Sequence, residues 1–223
     1  MIRIDWYFDV ISPFAYLAFE RLPGALAEVS EPFALRYRPV LFAALLDHFG
    51  HKGPAEIPSK RRFTFEQVAW LARRDGVPLR APRQHPFNPL PLLRAMLAAA
   101  GTDHASRAHA QAAFHYVWQQ GRLPDEPEFA ALLAQLGIAE AALAAPEVKA
   151  ALRANTDAAI ADEVFGVPTA VVRMDGSESH RFWGFDALPM MAAYLNGDPF
   201  FRSEALKQAS RLPAGVQRKA VRA

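Results

Sequence analysis

Cysteine is absent from all 223 residues of the chain. Disulfides, thiolate metal sites and thiol chemistry by the protein's own side chains are excluded at once. Any sulfur chemistry must draw its sulfur from a ligand. Long apolar runs are also missing, because charge or proline interrupts each stretch short of the ~18 residues that mark a membrane span. The opening segment MIRIDWYFDV carries Arg3 and Asp5 where an export signal needs an apolar core. A cytoplasmic protein without a cleavable leader is therefore expected. HExxH, GxSxG, a Gly-rich phosphate loop and a dinucleotide fingerprint do not occur. His48 and His51 lack a third ligand at metal-site spacing, and His104, His109 and His115 do not share a helix face, so no metal is expected.

A basic surface for nucleic acid is lacking too, although the isoelectric point is about 9.0. Residues 202–223 hold six basic residues against Glu204, a net +5 in a chain whose total is +2, which leaves −3 for residues 1–201. The positive charge belongs to a C-terminal tail with little periodicity, and it reads as a frayed, solvated end.

What remains is a chain with 52% hydrophobic residues, enough for a sizeable core. Ile2 to Val10 reads as a strand. Phe14, Leu17, Ala18 and Leu22 then recur at helical spacing, with Pro23-Gly24 as the expected stop. Phe33 to Val40 alternates again, as a second strand parallel to the first through a right-handed crossover. From Leu41 to about Glu163 the β signal vanishes. Helical patterns follow one another at 62–74, 90–100, 106–120, 126–135 and 147–163, separated by Pro/Gly breakers. Trp70 and Trp118 within them are expected in the core. "GVPTAVVRMDGSESHRFWG" then reads as a hairpin turning at Asp175-Gly176, and Asp186 to Asn196 as a closing helix stopped by Gly197. The order βαβ, helices, ββα predicts an α/β thioredoxin-like domain, residues 1–41 and 164–201, interrupted by an all-α insertion at 42–163 and followed by the tail at 202–223.

Three motifs could carry chemistry. In "FDVISPFAYLA" the pre-set φ of Pro13 suits the first helical position and makes Ser12 the N-cap. On the motif alone a cap is a complete account. The same hydroxyl, however, has a proton to donate at the positive end of a helix, where an anion such as a thiolate would be held. In "FGVPTAVV" Pro168 is either a plain strand-entry residue or half of a cis Val167-Pro168 bond, and the cis form is expected. It would turn the Val167 backbone outward to pair with an extended peptide ligand. In "RFWGFDAL" Asp186 is expected to cap the last helix, and its carboxylate could also hold a ligand's ammonium.

Together with "FNPLPLLRAM" in the insertion, these segments carry a resemblance. Over residues 1 to about 196 the chain resembles the DsbA-like disulfide oxidoreductases, and within them the kappa-class glutathione transferases and, more closely, the 2-hydroxychromene-2-carboxylate isomerases. The resemblance implies glutathione as the cofactor, a small aromatic acid as the substrate in aromatic catabolism, and a homodimer. It implies that Ser12 hydrogen-bonds the glutathione sulfur where redox relatives place cysteine. Val167 with Pro168 would clamp the cysteinyl unit, and Trp183, Gly184, Phe185 and Asp186 would grip the γ-glutamyl end. For the substrate carboxylate the candidates are Lys52, Lys60 and Arg61, with Arg62 beside them; a solvated helix start is the other reading of the same residues. Isomerases of this group carry an Asn-Arg pair after Gly-Pro, whereas Ala55-Glu56-Ile57 follow Gly53-Pro54 here. The expected function is glutathione-dependent isomerisation, with a kappa-like transferase or a non-catalytic glutathione- or peptide-binding module as rivals.

Overall fold

The computed structural model of the protein describes residues 1–176 and 178–215; Arg218, Lys219 and Arg222 of the basic tail lie outside them. Strand β1 (Ile2–Phe8), helix α1 (Pro13–Leu26) and strand β2 (Phe33–Pro39) form a βαβ unit in which the strands pair in parallel, Ile2 against Phe33 through Phe8 against Pro39. Strands β3 (Thr169–Arg173) and β4 (His180–Trp183) complete the sheet in the order β2-β1-β3-β4, with β3 antiparallel to both of its neighbours.

β1 is flanked by strands on both edges, and all of its residues but Arg3 are buried. Ile4, Trp6 and Phe8 point into the main core with Leu17, Phe19 and Leu22 of α1, and Trp6 stacks on Phe8 at 4.9 Å between ring centroids. Tyr7 points the other way, into a second cluster with Val40, Leu45, Ala159, Val164, Val167 and Val171. Asp5 interrupts the apolar run and is buried, but Arg36 and Arg173 each donate to it at 2.6 Å. A paired buried carboxylate avoids the large cost of an isolated one.

Between β2 and β3 lie six helices: α2 (Phe42–Phe49), α3 (Pro58–Asp75), α4 (Leu90–Ala100), α5 (Arg107–Trp118), α6 (Phe129–Gln135) and α7 (Pro146–Ala161). Helix α8 (Leu188–Leu195) follows the hairpin. α4 has the expected bounds, but α2 was not expected and α3 starts at Pro58, ahead of Arg62. Two single residues and the start of the tail also depart from expectation. α1 runs through Pro23 to Leu26. Pro23 has no N–H for the carbonyl of Phe19, and Arg107 Nη1 supplies a long substitute at 3.5 Å while its guanidinium covers the Phe19 ring at 4.3 Å. Trp118 is core, whereas Trp70 is 58% exposed, since α3 buries only the face of Val68, Leu71 and Ala72. The tail is not frayed from its start: a 3-10 turn (Pro199–Arg202) leads into α9 (Glu204–Ser210), capped by Ser203 Oγ. Phe201 holds this segment to the domain by packing edge-on to Tyr194 at 5.0 Å.

Candidate active site

The connection from β1 to α1 spans only residues 9–12, and it is heavily bonded. Ser12 N donates to Asp9 O at 3.1 Å, and Ser12 Oγ accepts from Ala15 N at 3.2 Å, as an N-cap does. Its hydroxyl proton points to Val167 O at 3.4 Å. That contact is longer than the ~2.5–3.0 Å of a good O–H···O bond, so a stronger acceptor would divert the proton readily. The Val167-Pro168 bond is cis, as expected. Its turn is fixed by Gly184 N donating to Pro168 O at 2.9 Å and Thr169 Oγ1 donating to Gly166 O at 2.7 Å. The start of α1 and the entry to β3 therefore meet at one point.

That point opens into a cavity of about 860 Å³, within the ~300–1,000 Å³ typical of small-molecule sites. Its near wall includes Asp9, Ile11, Ser12, Gly166, Val167 and Trp183. Its far wall comes from α2, the segment behind it and α3: Phe42, Leu46, Lys52, Arg61 and Phe65. Apolar and aromatic groups dominate, with Lys52 and Arg61 as the basic members and Asp47 and Glu56 as acidic ones. Trp183 is 54% exposed and meets Phe165 edge-on at 4.9 Å, an aromatic pair beside Val167.

Of the residues singled out from sequence, the structure brings Ser12, Val167, Trp183, Lys52 and Arg61 to this cavity. Lys60 is exposed and does not line it, and neither do Gly184, Phe185 and Asp186. Phe185 packs against the main core with the Arg74 guanidinium 6.0 Å from its ring. Asp186 does not cap α8: the capping position is Ala187, with no side-chain bond. Pro189 in the first turn has no N–H to offer a cap, and the Asp186 carboxylate turns back over Gly184 instead, where a Cβ would stand 2.6 Å from Oδ1. Gly184 has φ +98°, a conformation that favours glycine.

Two cavity residues were missed by sequence reasoning. Asp9 is fully buried, with Oδ1 accepting from Ile11 N and Oδ2 from Phe42 N, each at 3.0 Å. Burial pushes its carboxyl up to about 7 against the pull of those two N–H groups. The other is His85, whose Nε2 lies 2.8 Å from Ile11 O. A carbonyl only accepts, so Nε2 carries the proton. Burial holds this imidazole below its usual range, opposed by the Ile11 carbonyl and helped by the nearby charge of Arg61. The signals were slight: a lone aspartate ending an apolar strand, and a His-Pro dipeptide whose bond is also cis.

The arrangement offers an oriented hydroxyl at the positive end of a 14-residue helix, a backbone carbonyl beside it, and a mainly apolar cavity that Lys52 and Arg61 also line. The chemistry it suits is the holding of an anionic sulfur or oxygen from a ligand against an apolar partner molecule. The family model described as DSBA-like thioredoxin domain matches residues 3–196. The 2-hydroxychromene-2-carboxylate isomerase of Sphingobium xenophagum is 30% identical over 200 residues, covering 86% of this chain and 97% of that protein. Glutathione S-transferase kappa 2 of Caenorhabditis elegans is 26% identical over 211 residues, covering 88% and 92%. Among solved structures, that of a 2-hydroxychromene-2-carboxylate isomerase superposes with a TM-score of 0.68 at 26% identity, covering 95% of this chain and 100% of that one. The chain belongs to the DSBA-like thioredoxin family, among relatives that are isomerases and glutathione transferases.

Proposed function

We propose that this protein is a glutathione-dependent cis-trans isomerase of small aromatic acids of the 2-hydroxychromene-2-carboxylate type. The observation that carries the reading is Ser12: a hydroxyl at a helix N-terminus, 3.4 Å from Val167 O, in a cavity of a chain with no cysteine. A thioredoxin-type site without its own sulfur suits a ligand that brings one. The donor set fits, because a thiolate there would meet an O–H at the positive end of the α1 dipole. The relatives named for the isomerase and for glutathione transfer point the same way.

Bound glutathione supplies a nucleophilic sulfur that adds reversibly to an activated double bond and lets it rotate. The residues of this chain do the rest. Ser12 Oγ holds its proton toward the sulfur and favours the anion. The Val167 backbone aligns the cysteinyl unit. Trp183 flanks this end of the cavity, and Asp186, on the exposed turn after it, carries the charge for the γ-glutamyl ammonium. Lys52 and Arg61 hold the substrate carboxylate, and Leu46, Phe65 and Phe42 exclude water around its ring.

Product analysis with such a substrate tests the reading. Isomer should accumulate while the free thiol of glutathione stays constant. Loss of one thiol per product, with a stable conjugate, would contradict it and make the protein a transferase.

A further inference from the structure

Ile11, the residue before Ser12, is held at both of its backbone polar groups by side chains, one from its own turn and one from a distant segment. Its N–H donates to Asp9 Oδ1 at 3.0 Å and its carbonyl accepts from His85 Nε2 at 2.8 Å. On either side the pattern continues: Trp118 Nε1 donates to Val10 O at 2.8 Å, and Ser12 N donates to Asp9 O at 3.1 Å. The bonds from Ile11 N and Ser12 N to Asp9 are those of an ordinary Asx-turn. The bonds to Phe42, His85 and Trp118 go beyond it and tie the turn to distant parts of the chain.

The two side chains are placed at a cost. Asp9 is fully buried, and desolvating a carboxylate is unfavourable unless it gains bonds that matter. His85 is packed among Phe65, Phe87 and Trp118, with ring centroids at 5.1, 6.1 and 6.0 Å, and its Nδ1 is buried without a hydrogen-bond partner. Its imidazole therefore cannot rotate to another carbonyl without breaking that packing. Asp9 reaches further than the loop. Its second oxygen takes the N–H of Phe42, the first residue of α2, at 3.0 Å. One carboxylate thus joins the serine side of the cavity to the far wall, where α2 places Leu46 and Asp47.

We propose that Asp9 and His85 are positioning residues that clamp the Ile11 peptide from its two sides and so fix Ser12 Oγ for the ligand sulfur. Asp9 also ties that loop to the start of α2. Neither residue touches the reacting atoms. The proposal rests on the reading of Ser12 given above.

The test uses the whole protein and the variants Asp9→Asn, His85→Leu and His85→Gln. Asparagine keeps the shape of Asp9 but turns an N–H toward one of the two backbone donors. Glutamine can still donate to Ile11 O, whereas leucine cannot. Amide hydrogen exchange without ligand should show Ile11 and Phe42 exchanging roughly tenfold faster or more in Asp9→Asn, as for loss of one buried hydrogen bond, with β1 protection kept. His85→Leu should loosen Ser12 and its neighbours, and His85→Gln should restore them in part. The second readout is the ultraviolet titration of the thiol of bound glutathione, whose midpoint should rise in Asp9→Asn and in His85→Leu and return toward wild type in His85→Gln. Unchanged exchange at Ile11 and Phe42 would overturn the clamp whatever the titration does. Faster exchange with an unmoved thiol midpoint would overturn the positioning role. A wild-type protein that binds glutathione without forming thiolate would instead sink the Ser12 reading, and amide exchange would still decide the clamp.

Discussion

Trp183 closes over Gly166: a Cβ at residue 166 would stand 2.6 Å from the indole Nε1. The glycine is required here by close approach of a side chain. Gly166 precedes Val167, whose carbonyl faces Ser12 at 3.4 Å. Gly166→Ala should cost ~1–3 kcal/mol in overpacking. It should also lower glutathione affinity by at least about tenfold. Calorimetric affinity and a denaturant midpoint check both. Unchanged affinity would remove Trp183 and Val167 from the glutathione site.

Asp186 separates binding from stability more sharply than its sequence position suggested. It does not cap α8, so Asp186→Asn and Asp186→Ala should both leave the unfolding midpoint within ~0.5 kcal/mol of wild type, as exposed changes do. In the proposed role as partner of the γ-glutamyl ammonium it would make a charge-assisted bond of ~1.5–3 kcal/mol, so either change should weaken glutathione by roughly ten- to a hundredfold. Equal affinities would move the γ-glutamyl site elsewhere.

Asp9 gives a pH dependence with a definite sign. Its folded pKa, about 7, lies above its ordinary value of 3.8, so the folded state binds the proton more tightly than the unfolded one. Asp9 therefore contributes most to stability below the unfolded pKa, and that contribution is lost as pH rises through about 7. The unfolding free energy of wild type relative to Asp9→Asn should fall between these limits and then level off. A difference that stays constant with pH would contradict the burial argument.

Lys52 and Arg61 line the cavity and Lys60 does not. Lys52→Ala and Arg61→Ala should each raise KM for an aromatic acid several-fold with glutathione affinity kept, and Lys60→Ala should leave both unchanged. Steady-state kinetics with the acid as the varied substrate decides it. An effect confined to Lys60 would reverse the assignment.

Much of the fold was legible in the sequence because its signals are local. The Ser12-Pro13 cap, the bounds of α4 and the return of β character at residue 169 each follow from neighbouring residues. What was misread depends on distant partners. Pro23 stays inside α1 because Arg107 reaches the stranded carbonyl of Phe19 from another helix. α2 is eight residues long and opens at Leu41 without a side-chain cap, so it gave no start signal. Asp186 looks like a cap until the missing N–H of Pro189 is counted. Within the site, the Ser12 motif was visible, but Asp9 was hidden, since its partner Phe42 is 33 residues away. His85 was hidden for the same reason, its acceptor Ile11 lying 74 residues back.

In the function proposed here, Ser12 holds the sulfur of glutathione as a thiolate. Difference ultraviolet absorbance of the glutathione complex across pH measures it directly, on wild type and Ser12→Ala. In wild type the bound thiol should titrate below free glutathione. In Ser12→Ala the midpoint should return to that of the free tripeptide, with a cooperative fold weakened by only ~1 kcal/mol for the lost cap. A bound thiol that titrates like free glutathione in wild type, or identically in the two proteins, would contradict the account.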